Sequence, residues 1–329
     1  MKLLACTLLL VASMSVPMPC FGSPMDGPLH IRNTGPLANL YGLPRVYGGD
    51  VVEQGVTYTL GVDYGNTFSS SRRGANEIVL DGETAVTFLT LRGAIGAGWE
   101  FGLEVPHVAH RKSDLDSFID EFHDLFGLPD GGRGSVPRGR LEYRVDVDGQ
   151  THASVTDSQS GLGDVRLLLG RSLYRSAARS GAMRLQIKAP LGDVSDLTGS
   201  EAVDAALWWE HDERQLFGSS RLSGSAMLGL AYLGDGELVP RRQNRAVGLA
   251  SLGLRWRLTN RLQLNLQADA HGAPVDTDLG ELREDGVQGT IGGRILFTER
   301  LWLDLGVVEN LESASSPDAV FLLHLSGRW

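Results

Sequence analysis

Apolar and polar residues alternate with a period of two along most of the chain. Between Arg261 and His271, leucines and alanines occupy every second position, and Gln, Asn, Asp and His occupy the positions between them. The same alternation runs through residues 246–258, where Arg255 and Arg257 fall on the polar side. A period of two is the pattern of a β-strand with one apolar and one polar face. The sequence therefore predicts an all-β protein.

Twelve strands of this kind follow one another along the chain. Most are longer than an average strand of about 5–6 residues, and about 9–11 residues suffice for a tilted strand to cross a membrane. After the first 22 residues, no run is long and apolar enough for a spanning helix, which needs about 20 residues. The predicted strands are residues 51–64, 77–92, 97–108, 163–174, 181–190, 201–211, 217–233, 246–258, 261–271, 286–297, 300–309 and 318–329.

The connections between these strands alternate in length. Those after the even-numbered strands are short, and those after the odd-numbered strands are longer and rich in Gly, Ser, Asp and Pro. An even strand number with short turns at one end and long loops at the other is typical of an outer-membrane barrel. The alternation places Trp208 and Trp302 on the inward face of their strands, so each must either lie at a bulge or pack inside the barrel. An aromatic girdle is predicted near the short, periplasmic turns from Trp99, Trp209, Trp256, Phe297 and Trp329.

We therefore predict a closed antiparallel transmembrane β-barrel of about twelve strands over residues 51–329. Residues 141–156 form a hairpin around an Asp-Gly turn, which we interpret as extracellular; if it crossed the membrane, the strand number would be fourteen. A turn at residues 80–82 would shorten the second strand. The long loop 109–162 is predicted to contain an amphipathic helix at residues 114–126, either a lid over the pore or a helix packed on the barrel mouth.

The amino-terminal residues predict export from the cytoplasm. Lys2, the apolar run that follows it and the small residue Gly22 form a secretory signal peptide over residues 1–22. A lipoprotein signal would use Cys20 instead, but the preceding Pro19 fits that signal poorly. Residues 23–50 are too rich in Pro and Gly for a membrane strand, so we expect them to plug the lumen or to form a periplasmic tail. The predicted location is the outer membrane of a Gram-negative bacterium.

Composition and motifs argue against several classes of function. The net charge of −10 argues against nucleic-acid binding, and both cysteines fall within the predicted signal peptide. No common catalytic or phosphate-binding motif is present, and we expect no cofactor, no metal and no enzymatic activity. The pair His152 and Ser154 leaves a lipid-modifying enzyme as a distant alternative. The alternating terminal strand that ends at Trp329 predicts recognition by the barrel-assembly machinery, in contact with outer-membrane lipid and lipopolysaccharide.

Charged residues on the predicted inward faces are candidates to line the lumen. Carboxylates concentrate on the second and third strands, whereas cations concentrate on the fifth, seventh and eighth. This separation would create a transverse field across an open pore; direct pairing would instead seal the barrel. The candidates are Glu77, Glu83, Glu100, Glu104, Arg184, Lys188, Arg221, Arg255 and Arg257.

Several blocks of sequence resemble a family of Gram-negative outer-membrane proteins that is defined as a domain of unknown function. The resemblance implies a barrel in the cell envelope and supplies no activity. Residues 188–193 are a variant of a Lys-x-Pro-Thr-Gly-Asp pattern, with Leu191 at the Thr position. The blocks that carry the resemblance are residues 27–33, 42–44, 98–106, 122–133, 161–165 and 197–200.

Together these observations predict passive passage or binding of a small polar solute, whose identity the sequence does not name. The alternative is a sealed structural barrel whose loops contact partners in the envelope.

Overall fold

The computed structural model describes residues 24–113, 139–239, 242–276, 279, 283–311 and 316–329. The predicted signal peptide and the predicted helix at 114–126 lie outside these residues. Across the described part of the chain, no helix has the length and apolar character needed to cross a membrane. The strands are β1 Val56–Arg73, β2 Asn76–Gly96, β3 Trp99–Arg111, β4 Glu142–Val147, β5 Gln150–Val155, β6 Gln159–Leu162, β7 Val165–Arg175, β8 Arg179–Ala189, β9 Asp204–Glu213, β10 Leu222–Tyr232, β11 Ala246–Arg257, β12 Leu262–His271, β13 Gly286–Thr298, β14 Leu301–Asn310 and β15 Ala319–Arg328.

Twelve of these strands close into an antiparallel barrel. Each strand of the ring pairs with its neighbours, and β1 completes the closure by pairing with both β2 and β15. The hairpin β4–β5 stands outside the ring. Apart from its partner β5, β4 pairs with residues 77–81 of β2, which lie beyond the part of β2 that pairs with β3. The prediction of twelve strands is therefore confirmed, and the alternative of fourteen is wrong.

The first hairpin of the barrel is longer than the sequence pattern indicates. β1 and β2 stay paired as far as Arg73 and Asn76, so residues 65–73, predicted as loop, are strand. The turn considered at residues 80–82 does not exist, since β2 continues through it. Both differences have one cause: the alternation of apolar and polar residues is lost at this end of the hairpin although the pairing of the two strands continues.

The five connections predicted to be short are short in the structure, and they join the ring strands at one end of the barrel, which we call the short-turn end. Trp99, Trp256, Phe297 and Trp329 lie near this end with exposed side chains, whereas Trp209 is half-buried. Trp208 and Trp302 point inward and are buried, so each has a packing role.

Candidate functional site

Residues 24–52 are almost entirely buried inside the barrel; we call them the lumen segment. Its two feet lie near the short-turn end, where Asp26 contacts Arg257 at 3.0 Å and Asp50 contacts Arg214 at 2.5 Å. Its two arms touch each other, because the Val46 amide donates to the Ile31 carbonyl at 3.1 Å. The segment therefore enters and leaves at the same end of the barrel.

The tip of the lumen segment packs into an apolar cluster at the opposite, long-loop end. Leu37, Leu40 and Tyr41 belong to this cluster and are at most 5% exposed. The barrel contributes side chains from the β4–β5 hairpin, including Tyr143 and Val145, to the same cluster. Burying apolar side chains of this size stabilises each by about 1.5–3 kcal/mol, so the tip is a principal anchor.

Ion pairs hold the middle of the lumen segment to the wall. Arg45 donates from Nε to Glu104 at 2.9 Å and from Nη2 to Asp63 at 2.8 Å. Arg32 donates to the second oxygen of Glu104 at 2.8 Å. Arg166 on β7 approaches the same carboxylate at 3.6 Å. All these side chains are buried, and a buried charge is tolerated only when it is paired and hydrogen-bonded.

A second group of charges binds the end of the lumen segment at residues 47–50. Arg184 on β8 contacts Glu100 at 2.7 Å and also pairs with Glu210. The same guanidinium donates to the carbonyls of Gly48 and Asp50 at 2.5 and 2.6 Å. In return, Glu210 accepts the amide of Tyr47 at 2.6 Å. The backbone of the segment thus completes the hydrogen bonding of wall charges.

A third group joins the tip to the wall and its loops. Lys188 Nζ donates to Asp164 at 2.6 Å, to Ser200 at 2.5 Å and to the Leu40 carbonyl at 2.9 Å. Asp164 also accepts the amide of Gly192 at 2.9 Å. Several of the sequence blocks that resemble the family therefore meet here. They surround Lys188 or lie next to its contact with the lumen segment: residues 42–44, 161–165, 188–193 and 197–200.

Three of the predicted lumen residues lie elsewhere. Glu83 is buried, but it has the outward parity of the exposed Leu89 and contacts Tyr64 and Ser113. Glu77 has the same outward parity, is half-buried and pairs in register with β4, outside the ring. The structure differs from these two predictions because the alternation of apolar and polar residues is lost at this end of β2 and no longer indicates which face points inward. Arg221 is exposed in a connection before β10 begins and is also wrong.

The other predicted residues face inward. Glu100, Glu104, Arg184, Lys188 and Arg255 are at most 3% exposed, and Arg257 is half-buried near the short-turn end.

The structure does not show the transverse field that separated carboxylates and cations would create. Arg255 on β11 contacts Asp212 on β9 at 2.9 Å, and Arg294 on β13 contacts Asp304 on β14 at 2.6 Å. The first pair joins strands separated only by β10 and the second joins adjacent strands, so opposite charges neutralise each other locally. Sequence reasoning missed Asp63, Glu210, Asp212, Arg294 and Asp304. Asp212 lies just after the predicted strand 201–211, in a predicted connection. The alternation placed the other four on an inward face, but it did not show their partners.

Burial also changes the titration of groups in the lumen segment. Desolvation holds the pKa of His30 well below its ordinary value of 6.5, and the nearby cations Arg92 and Arg294 lower it further. Desolvation likewise raises the pKa of Tyr47 to about 12. Both side chains are therefore neutral at pH 7, and both border a cavity of about 120 Å³ at the short-turn end.

The profile of a family described as "Protein of unknown function (DUF3187)" matches residues 6–329. The chain belongs to the DUF3187 family. The resemblance to an outer-membrane family of unknown function is therefore confirmed. A search of curated proteins found no match to the sequence.

Among solved structures, the DUF3187 barrel is similar to the COG4313 outer membrane channel from Pseudomonas putida F1. The two share 12% identity, with a TM-score of 0.57 over 85% of this chain and 98% of that one. The Pseudomonas putida toluene transporter TodX also matches, with 12% identity and a TM-score of 0.40 over 90% of this chain and 97% of that one. The KdgM porin matches with 5% identity and a TM-score of 0.43 over 83% and 99%. The first similarity establishes the outer-membrane barrel fold.

Proposed function

We propose that this protein is a plugged passage for small polar solutes across the outer membrane of a Gram-negative bacterium. In this proposal the short-turn end faces the periplasm, lipid and lipopolysaccharide surround the barrel, and the lumen segment is a movable plug. The observation that carries the proposal is that, apart from its apolar tip, the plug is held by ion pairs and hydrogen bonds to a charged wall.

The polarity of the wall supports passage rather than a purely structural barrel. A barrel that only needs to be filled is packed most economically with apolar side chains, because buried ion pairs cost desolvation energy. Here the wall behind the segment carries pairs such as Glu100 with Arg184 and Asp304 with Arg294. These pairs would keep the wall hydrated and neutralised when the segment leaves, as a water-filled lumen requires.

The arrangement of the segment supports its movement. Both feet lie at one end of the barrel, so the hairpin of two arms can withdraw without threading a chain end through the lumen. Its polar contacts can be exchanged for contacts with water, which makes their net contribution modest, about 0.5–1.5 kcal/mol for an ordinary hydrogen bond.

Planar-bilayer conductance tests the proposal. The full chain should show rare openings, and a variant that lacks residues 24–50 should conduct steadily. In a third protein, Asn33→Cys and Ser316→Cys are joined by a short cleavable thiol cross-linker, since these side chains are 3.0 Å apart. This tethered protein should stay closed until the linker is cut, and the single variant Ser316→Cys is its matched control. A folded deletion variant without conductance would contradict the proposal.

A further inference from the structure

Three wall residues on neighbouring strands form a site that already holds a guanidinium group. Asp63 on β1, Phe88 on β2 and Glu104 on β3 all face the lumen. Arg45 of the lumen segment contacts the two carboxylates at 2.8 and 2.9 Å. Its Cζ lies 3.7 Å from the centroid of the Phe88 ring. Two carboxylates and an aromatic face are the groups that a planar guanidinium binds best.

Contacts within the wall also hold these three residues in place. His324 on β15 contacts Asp63 at 2.6 Å, and its ring meets Phe88 edge-on at a centroid distance of 5.1 Å. Thr90 donates to Glu104 at 3.3 Å. A Cβ at Gly61 would lie 2.3 Å from the Phe88 ring, so glycine provides the space that the ring occupies. The site therefore keeps its supporting contacts when the segment is absent.

The charge balance at this level depends on the lumen segment. Among the ion pairs at this site, the wall supplies the carboxylates of Asp63 and Glu104 and the guanidinium of Arg166, and the segment supplies Arg32 and Arg45. When the segment leaves, two wall carboxylates face one wall guanidinium, and this balance would attract a cation. The imidazole of His324 is the other titratable group in contact with Asp63.

We propose that the site of Asp63, Phe88 and Glu104 binds a guanidinium-bearing solute, and that Arg45 is an internal occupant that competes with it. Such a solute would stabilise the open state because it takes the place of the plug. The proposal deepens the proposed function and rests on it for the release of the segment, but the binding site can be tested without any conductance. A compact ammonium should bind less well, because it lacks the planar fork of donors.

Chemical rescue of the full-length Arg45→Ala protein tests the site. Methylguanidinium chloride is titrated by calorimetry into this variant and into the unsubstituted protein in detergent. We expect saturable binding to Arg45→Ala, none to the unsubstituted protein, and at least tenfold weaker binding when Glu104→Gln is added. Arg242→Ala is the matched control, because its partner Asp148 is exposed and no lumen site is vacated. Sodium and tetramethylammonium chloride control for ionic strength and for charge alone.

Equal heats for methylguanidinium and sodium, or binding that Glu104→Gln leaves unchanged, would overturn the inference. If Arg45→Ala does not fold, Arg45→Gln keeps amide donors at the site without the charge and is used in its place. The two proposals fail separately. A deletion variant that does not conduct contradicts the passage, whereas the absence of selective rescue contradicts the guanidinium site.

Discussion

Lys188 on β8 donates from Nζ to the backbone carbonyl of Leu40 over 2.9 Å, although 148 residues separate them in the sequence. Asp164 and Ser200, which belong to two different connections, accept from the same ammonium. One buried cation therefore ties the tip of the lumen segment to the loops at the long-loop end. Loss of this cation should release the tip first.

We expect Lys188→Met to weaken the docking of the tip, because it leaves the buried Asp164 and Asp204 without their cation. Breaking a buried pair costs about 3–5 kcal/mol, and about 1.4 kcal/mol already corresponds to a tenfold change in an equilibrium constant. The thiol-labelling rate of Ala38→Cys should therefore rise at least tenfold. Arg179→Met on the same strand, where the side chain is 62% exposed, is the control. Equal labelling rates in the two variants would show that Lys188 is not an anchor.

Arg184→Met should lower the stability of the whole barrel. The guanidinium is fully buried between Glu100 and Glu210, and its loss leaves Glu210 without a cation and Glu100 with only Arg92, at 3.4 Å. We expect the free energy of unfolding to fall by about 3–5 kcal/mol in a denaturant titration. Arg242→Met removes an exposed pair and should cost less than about 1 kcal/mol. A similar loss in both variants would mean that the Arg184 network contributes little.

Acidic pH should favour release of the lumen segment through His30. The pKa of docked His30 lies well below 6.5, whereas a released, solvated His30 titrates near 6.5, so release takes up a proton below that pH. Docking is therefore fully stable above about pH 6.5 and weakens as pH falls, by at most about tenfold per pH unit for one group. Open probability in bilayers measures the effect.

The cations Arg92, Arg294 and Arg45 and the side chain of His324 surround His30 and can modify this profile. His30→Gln isolates the contribution of His30 to the pH dependence, because glutamine does not titrate and the neighbouring charged side chains remain. The variant should lose most of the pH dependence; an unchanged profile would assign it to another group.

Gly61→Ala should displace the Phe88 ring, which forms the aromatic face of the guanidinium site. A Cβ at this position would lie 2.3 Å from the Phe88 ring, so the ring must move from beneath Arg45. Overpacking of this kind costs about 1–3 kcal/mol in unfolding free energy. Gly248→Ala is the matched control, since nothing lies within 4 Å of a Cβ there. If both substitutions gave the same small change, the Phe88 ring would not be confined by Gly61.

We propose that the barrel-assembly machinery recognises Trp329. The side chain is 63% exposed, and its ring lies 5.1 Å from Tyr58, where the last strand meets the first. Trp329→Ala should reduce the folded protein in the outer membrane several-fold without changing refolding in detergent. Trp256→Ala, at an internal girdle position with 52% exposure, should leave assembly unchanged. A normal amount of folded Trp329→Ala protein would contradict this role.

The local pattern of the sequence determined the barrel itself. In strands such as β11 and β12, one face is apolar and the other is polar. The resulting period of two is visible in the sequence alone. The same alternation predicted that Glu100 and Glu104 face inward, and both are buried in the structure, where they pair with Arg184 and Arg45. It failed at Glu77 and Glu83, because the alternation of apolar and polar residues is lost at this end of β2.

Only the tertiary structure decided how the charges are partnered. Arg45 and Glu104 are 59 residues apart, and Arg184 and Gly48 are 136 apart, so no local pattern joins them. Closure of the ring brings β1, β2 and β3 beside each other and folds the lumen segment against them. The lumen is therefore a property of the closed barrel: each strand specifies which side chains point inward, and the closed three-dimensional arrangement specifies which of them meet.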